Sequence, residues 1–468
     1  MSRVVVSNRT DGFGARIQAI LNGLFVSKKT NSKFYFTWKI FKNQQTNKKI
    51  LLPFENLETH ENIFSDVFLH SHYIEDNYYD DFINLSKINI SQILSKTQYD
   101  SNILVNTPGD MRLFIENKYI NEYKESCIAT WREFFSFDKK KVITIARKEA
   151  LRIGNFIAIH IRAGDIIHND GNPHLNFHKA TNIALVDKII LMKENINIVL
   201  FGDDLDILSF FKNKFNSKNI IIAPDFHIYY KLTQVSQIIF DIELMSCANE
   251  IYASGKSCFS NLASLLSCNQ IFFDIYSIYS KTDMINIILN FLRDNHIPNN
   301  HRAFMNFYLY VLNNKTEDAK NYLIYSHRIT DFCSYKIEYI NFLLNKKMLC
   351  ELEEYLSKID GYILLNLLRQ LFRKRGKQYV YNSTIKLFEV NSSFQNISFI
   401  AHLKNQAEKN DRMRNLLNIQ NGTINLLFFQ TKYGTAKTRI QNQLSYKLGQ
   451  AMIVNSKSIL GYIRMPFV

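Results

Sequence analysis

The chain is expected to be an α/β protein with two parallel, doubly wound sheets followed by an all-helical region. Three observations predict this. Residues 3 to 40 run strand, glycine-containing loop, helix, strand; residues 154 to 274 alternate five strand-type runs with helices; beyond about residue 300 only helix-period segments remain. Strands alternating with helices bury best as a parallel sheet covered on both faces. At 468 residues the chain exceeds one ordinary core,. The boundaries expected are 1–150 for a first α/β domain, 151–295 for a second, 296–400 for a helical region and 401–468 for a basic tail.

The first unit reads as strand Val4–Ser7, loop Asp11-Gly-Phe-Gly14, helix Arg16 to about Lys28, and strand Lys33–Trp38, a Rossmann-like opening,. Residues 41 to 150 are less regular, with a linking helix expected around Glu122–Phe135. The second unit runs through strand 156–161, helix 178–194, strand 196–201, helix 205–215, strand 219–223, helix 231–247, strand 250–253, helix 258–267 and strand 270–274. Farther on, Leu312-Asn-Asn-Lys315 with Tyr322-Leu323 recurs as Leu344-Asn-Lys-Lys347 with Tyr355-Leu356. An offset of about one helical hairpin fits either a TPR-like stack or an ordinary bundle. In the tail, Ile440, Leu444, Leu448 and Met452 share one stripe beside Lys437, Arg439 and Lys447. Such a basic amphipathic helix packs on its own domain or touches a membrane surface. The chain stops inside the apolar Gly461–Val468, as a truncated chain would.

The 57 Lys and Arg against 42 Asp and Glu leave a net charge of +15. That balance fits an anionic partner. No basic block with interleaved aromatics appears, so nucleic acid is not expected as a partner. The six cysteines form no CxxC pair and lie near no His at metal spacing, which argues against a zinc site and a disulfide framework and fits a reducing cytosol,. No run has signal-peptide or transmembrane length.

Chemistry concentrates in three places. The strand Phe156–Ile161 delivers His160, Arg162 and Asp165 to its carboxyl end, where open α/β sheets bind ligands,; a structural Arg162–Asp165 salt bridge is the plainer alternative. Asp11-Gly-Phe-Gly-Ala-Arg16 puts Gly12 and Gly14 before a helix N-terminus, whose amides can approach a phosphate,. Asp241 leads through a helix and strand to Ser254-Gly-Lys-Ser257 ahead of the next helix, an anion cradle without P-loop spacing,.

In order and rough spacing over residues 1 to 290, these segments resemble the GT-B fucosyltransferase superfamily: Gly12 and Gly14, then His160, Arg162 and Asp165, then Asp241 with Ser254 and Ser257. Phe201-Gly-Asp-Asp204 resembles a strand-end Asp pair of the same family, and Tyr446-Lys-Leu-Gly-Gln-Ala451 is similar to tails of capsule-locus sugar transferases. The resemblance implies a GT-B-like pair of Rossmann-like domains that bind a GDP-sugar donor, with no required metal or cofactor, and transfer the sugar with inversion. It implies that Arg162 neutralises the β-phosphate, Asp165 orients Arg162, Ser257 and helix-start amides hold other oxygens, His160 contacts nucleoside or phosphate, and Asp241 accepts from guanine. Asp170 is the base that the α1,6 branch suggests, with Asp11 second; Asp170 also reads as a plain turn residue. Two departures stand out: Ala163 occupies the place of a second Arg, and Ala15 that of an Asn.

The function expected is therefore an inverting, cytoplasmic glycosyltransferase moving fucose, another deoxyhexose or heptose from a GDP-sugar to a bacterial capsular or lipid-linked glycan. A peripheral contact with the inner membrane or capsule assembly proteins is the role open to the tail. Transfer of a non-sugar group to the same polysaccharide, or a helical scaffold with a degenerate catalytic half, are the alternatives.

Overall fold

A computed structural model describes residues 3–40, 57–75, 82–88, 90–95, 101–106, 109–171, 177–193, 195–216, 218–267, 271–313, 318–375, 378–390, 393–411 and 450. The tail helix expected over 436–452 lies outside them, Gln450 apart. Contacts divide the chain into two units, the first comprising Met1–Phe342 with Leu365–Arg375, the second Leu343–Leu364 with Gly376–Val468.

Two parallel sheets form the first unit. In one, β1 (Val4–Ser7), β2 (Lys33–Phe36), β3 (Ile83–Asn84) and β4 (Ile103–Val105) take the order β2-β1-β4-β3. In the other, β5 (Phe156–Ile161), β6 (Asn197–Gly202), β7 (Ile220–Ile222), β8 (Glu250–Ala253) and β9 (Ile271–Asp274) take the order β7-β6-β5-β8-β9. All six residues of β5 are buried because helices cover both faces, which is why its sequence is nearly unbroken in apolar character,. Its alternation still sorts the faces. Phe156 and Ala158 join the core shared with the first sheet, whereas Ile157, Ile159 and Ile161 join the core beneath the later helices,. Strand order reverses around β5, with its successor β6 on one side and β8 on the other. That topological switch point is where a doubly wound sheet opens a crevice.

Element bounds depart from expectation where caps decide them. The helix expected over 178–194 starts at Ile183, because Asn182 Oδ1 accepts the Ala184 N–H at 3.1 Å and sets its N-terminus there,. The linking helix expected over 122–135 runs Asn117–Glu133, and a second helix not expected there, Phe137–Ile153, follows it, ended by Gly154 at φ 75°,. These helices tie the two sheets together. Glu243, buried on the helix Gln234–Ser246, accepts from Trp131 Nε1 at 2.7 Å and Arg147 Nε at 2.5 Å. Lys139, also buried, bonds Glu58 at 2.7 Å and Ser236 at 2.9 Å.

Helices Lys281–Asp294, Asn299–Leu312, Asp318–Arg328 and Cys333–Asn345 follow the second sheet. The repeated segments mark successive helix ends, at Leu312 and Asn345. The region expected to be all helical also contains two-residue strands at Lys374–Arg375 and Gln378–Tyr379. In the second unit the Glu353 carboxylate caps helical residues 395–411, accepting from the backbone of Asn396 at 2.8 Å and Ile397 at 3.1 Å. Among the described residues no helix is long and apolar enough to cross a membrane.

Candidate functional site

The strand ends bring three sequence segments together at the switch point. The chain leaves β1 through Arg9, Asp11 and Gly12, and helix Phe13–Thr30 begins immediately. Arg16, almost wholly buried, shapes this turn: its guanidinium donates to the carbonyls of Asp11 at 2.6 Å, Thr10 at 2.8 Å and Lys39 at 2.7 Å, and lies over Trp38. Burial pulls its pKa down to about 10, so it stays charged near neutrality.

Gly14 is in the first turn of that helix, where a Cβ would lie 3.2 Å from Phe259 Cα and 3.4 Å from the Cys258 carbonyl oxygen. The N-terminal turn therefore abuts the first turn of helix Cys258–Leu266, which follows β8. Two positive helix ends meet, a concentration of partial charge that favours an anion. Gly109 admits the neighbouring side chains: a Cβ there would sit 3.1 Å from Gln18 Oε1, 3.3 Å from Cys258 Sγ and 3.7 Å from the Arg9 guanidinium. From the first sheet's side Arg112, bonded to Asp110 at 2.7 Å, also reaches Ser264 Oγ at 3.3 Å, fastening the two segments.

Cations ring this meeting point. Burial raises the Cys258 thiol's pKa while Arg9, Arg162 and Lys179 oppose it, which places all three guanidinium and ammonium charges in its neighbourhood. The Arg162 backbone is fixed in both directions by Thr181, whose Oγ1 accepts its N–H at 3.0 Å and whose N–H donates to its carbonyl at 2.8 Å. Asp203, at the end of β6, accepts the N–H groups of Ala163 and Gly164, each at 2.8 Å. Burial raises that carboxyl, but the Arg162 charge and those two N–H groups outweigh it and hold it below the usual range. Gly164 is required here, since a Cβ would lie 2.8 Å from the Asp203 carbonyl oxygen.

Several buried polar atoms in these segments have no partner among the described residues: His160 Nδ1, Ser257 Oγ, Asp241 Oδ1 and both amide atoms of Gln18. Buried polar groups are almost always satisfied, so a cluster of exceptions marks a place for a ligand or water. His160 is buried against Phe259, ring centroids 5.0 Å apart, and burial chiefly, aided by Arg162, pushes its pKa down to about 4. The imidazole is neutral near pH 7. Asp241, in helix Gln234–Ser246, accepts from Tyr229 Oη at 3.1 Å, and burial pushes its carboxyl up to about 8.

Other expected site residues sit differently. Asp11 is half exposed and held in a 2.8 Å ion pair with Arg9. Ser254 Oγ donates to the Lys179 carbonyl at 2.7 Å, anchoring the loop that carries Lys179. Asp170 does not join the meeting point: its carboxylate accepts from the N–H groups of Cys333 and Ser334, both at 2.8 Å, at the start of helix Cys333–Asn345. The Asp165 side chain lies outside the described residues; among those described, the Asp203 carboxyl lies in the field of the Arg162 charge. Ala163 is fully buried in the core beneath β5, so a charged side chain there would enter apolar surroundings. Arg9 is a further cation in the neighbourhood of Cys258. Sequence reading missed Arg9, Lys179 and Gln18, and singled out Asp203 only as one of a strand-end Asp pair; Arg9 was legible only as a cation between β1 and the glycine loop.

A second polar group lies beyond β6. His168 Nε2 and His301 Nε2 meet one oxygen of Asp204 at 2.6 and 2.9 Å, and Asp204 also accepts the Ile207 N–H at 3.2 Å. Among the described residues this trio has ligand-type atoms close enough to hold a metal ion. The geometry is that of two hydrogen bonds to one carboxylate oxygen, assembled from positions too far apart in sequence to form a recognisable spacing.

A family model described as a domain of unknown function (DUF8374) matches residues 366–468. No curated protein matches the chain. Among solved structures the chain is similar to the fucosyltransferase NodZ from Bradyrhizobium, at 14% identity and a TM-score of 0.36, covering 57% of this chain and 94% of that one. It is similar to NodZ α-1,6-fucosyltransferase co-crystallised with GDP, at 14% identity and 0.37, covering 57% and 93%. For POFUT1 in complex with GDP-fucose the figures are 10% identity and 0.31, covering 58% and 98%.

Proposed function

We propose that the chain is a glycosyltransferase that moves fucose, another deoxyhexose or heptose from a GDP-sugar to a glycan acceptor, with inversion. One observation carries the reading: two helix N-termini meet beside Arg9, Arg162 and Lys179, with Ser257 Oγ and His160 Nδ1 buried and unpartnered. Such a site stabilises a departing diphosphate. The glycosidic bond from the sugar C1 to the β-phosphate oxygen breaks, its electron pair leaves with GDP, and the acceptor oxygen bonds C1 from the opposite face. Arg162 and the amides of the Cys258 helix take up the charge that develops on the phosphate, and no metal is needed for that step. Neutral His160 donates to or accepts from the nucleotide. Asp241 accepts from guanine N1 and N2 through its unpartnered oxygen.

The acceptor proton passes to a carboxylate. Asp11 fits better than Asp170, because it is half exposed in the segment that carries Gly12 and Gly14, whereas Asp170 is committed to the start of helix Cys333–Asn345. The acceptor is a capsular or lipid-linked glycan, and the enzyme works in the cytoplasm or peripheral to the inner membrane, where its excess positive charge favours anionic surfaces.

Incubation of the chain with GDP-fucose, other GDP-sugars and UDP-sugars, read by mass spectrometry, tests this. Consumption of a GDP-sugar with release of GDP supports it. Consumption of UDP-sugars alone would remove the guanine assignment, and release of a non-sugar group would remove the glycosyl reading.

A further inference from the structure

We infer that a cavity of about 430 Å³ beyond the donor cradle is a subsite for an acidic glycan, with Arg369 and Arg373 taking its carboxylate or phosphate groups. The inference rests on the glycosyl-transfer reading above and names the class of acceptor. Asp170, Asp331, Asn366 and Gln370 complete the polar part of the lining. Every one of these residues belongs to the first unit.

Arg369 lies near the end of the helix Gly361–Leu371 and Arg373 just past it, and both line the cavity. Both are exposed, and neither guanidinium has an ion-pair partner among the described residues. Guanidinium forks match planar anions in pairs of hydrogen bonds. Of the two acidic groups of the lining, Asp170 is already engaged. Asp170 spends its carboxylate on the N–H groups of Cys333 and Ser334, and its carbonyl accepts from Gln370 Nε2 at 3.2 Å. That bond leaves Gln370 Oε1 buried, with no partner among the described residues. Asp331 and Asn366 add further hydroxyl partners. A wall of Asp, Asn and Gln beside paired arginines suits a molecule that is both hydroxylated and anionic; a bare inorganic anion would use the arginines alone.

Position connects the cavity to transfer. Asp170 follows Arg162 by eight residues, which bounds the separation of their Cα atoms at roughly 29 Å for extended chain. An oligosaccharide can span that bound, so one chain can occupy the cavity while its other end reaches the donor cradle.

The test is calorimetric titration of the full chain with three oligosaccharides of equal length: a hexuronate oligomer, a phosphate-bearing oligomer and a neutral hexose oligomer, with GDP titrated in parallel. One or both acidic oligomers should bind at least about tenfold tighter than the neutral one, and whichever binds identifies the anion. Arg369→Ala with Arg373→Ala should remove that preference and leave GDP affinity unchanged, while Arg369→Lys with Arg373→Lys should restore part of it. Equal binding of all three oligomers, no binding of any, or acidic binding untouched by the alanine pair would overturn the subsite. If GDP fails to bind while the arginine-dependent acidic binding persists, the subsite stands and the donor reading falls.

Discussion

Gly14 and Phe259 touch so closely that a Cβ on the glycine would lie 3.2 Å from the phenylalanine Cα. This contact joins the helix after β1 to the helix after β8 and brings together the N-termini on which the proposed anion site rests. Gly14→Val should push the two turns apart and weaken GDP binding by about tenfold or more, a loss of one charge-assisted contact. Thermal unfolding of the variant controls for misfolding. A folded Gly14→Val protein with wild-type GDP affinity would show that the helix juxtaposition does not build the site.

Asp241 carries its own signature. Burial raises its carboxyl to about 8, so near pH 7 it is mostly protonated in the empty protein. Accepting two N–H groups from guanine favours the ionised form. GDP binding at pH 7 should therefore release a substantial fraction of a proton, measurable as a dependence of binding enthalpy on buffer ionisation enthalpy. Asp241→Asn should abolish that release and weaken binding of GDP relative to inosine diphosphate. Binding with no proton release from the wild type would place the guanine elsewhere.

His160 makes stability depend on pH in a defined direction. Its folded value of about 4 lies below the unfolded value near 6.5, so the unfolded chain takes up a proton first as pH falls,. The contribution is fully present above pH 6.5, declines between 6.5 and 4, and is constant below; the loss is at most about 3 kcal/mol. Urea unfolding of the wild type and His160→Asn across this range should converge on acidification. Parallel curves would mean that the imidazole titrates normally and is not buried as described.

Asp204 anchors the second polar group. Asp204→Ala removes the acceptor of two imidazole N–H groups and the N-cap of the helix Leu205–Lys214, a cost of about 3 kcal/mol or more,. The signs for the partners differ. His168 is raised chiefly by its bond to Asp204, so its contribution is present below its unfolded value and lost as pH rises through the folded one. Asp204 is held low by its bonds to His168 and His301, which outweigh burial, so its contribution is present above its unfolded value and lost at strongly acidic pH. Denaturation midpoints of the wild type should exceed those of Asp204→Ala most between about pH 5 and 7.

Strand positions were legible because Val4–Ser7, Phe156–Ile161 and Glu250–Ala253 are short apolar runs bounded by turn residues, and each forms where the pattern puts it. The helix Phe137–Ile153 was not, because Asp138 and the lysines at 139 to 141 hide a buried stripe of Val142, Ile143, Ala146 and Ala150. The same divide runs through the site. His160, Arg162 and Ser257 stand at strand ends and could be picked out locally. Arg9 and Cys258 come together only through close approach of glycine-bearing turns, and Asp203 reaches Arg162 across neighbouring strands, relations of tertiary geometry that no spacing encodes. Asp170 illustrates the reverse: its position in the chain suggested a base, and folding commits it to a helix N-terminus.

The central claim is that Arg162 helps hold a diphosphate at the junction of two helix N-termini. Calorimetric titration of GDP and of guanosine into the wild type and Arg162→Ala tests it most directly. GDP should bind the wild type saturably, and Arg162→Ala should weaken that binding about tenfold or more, with guanosine binding barely changed. Equal GDP affinity in the two proteins, or a loss just as large for guanosine, would contradict it.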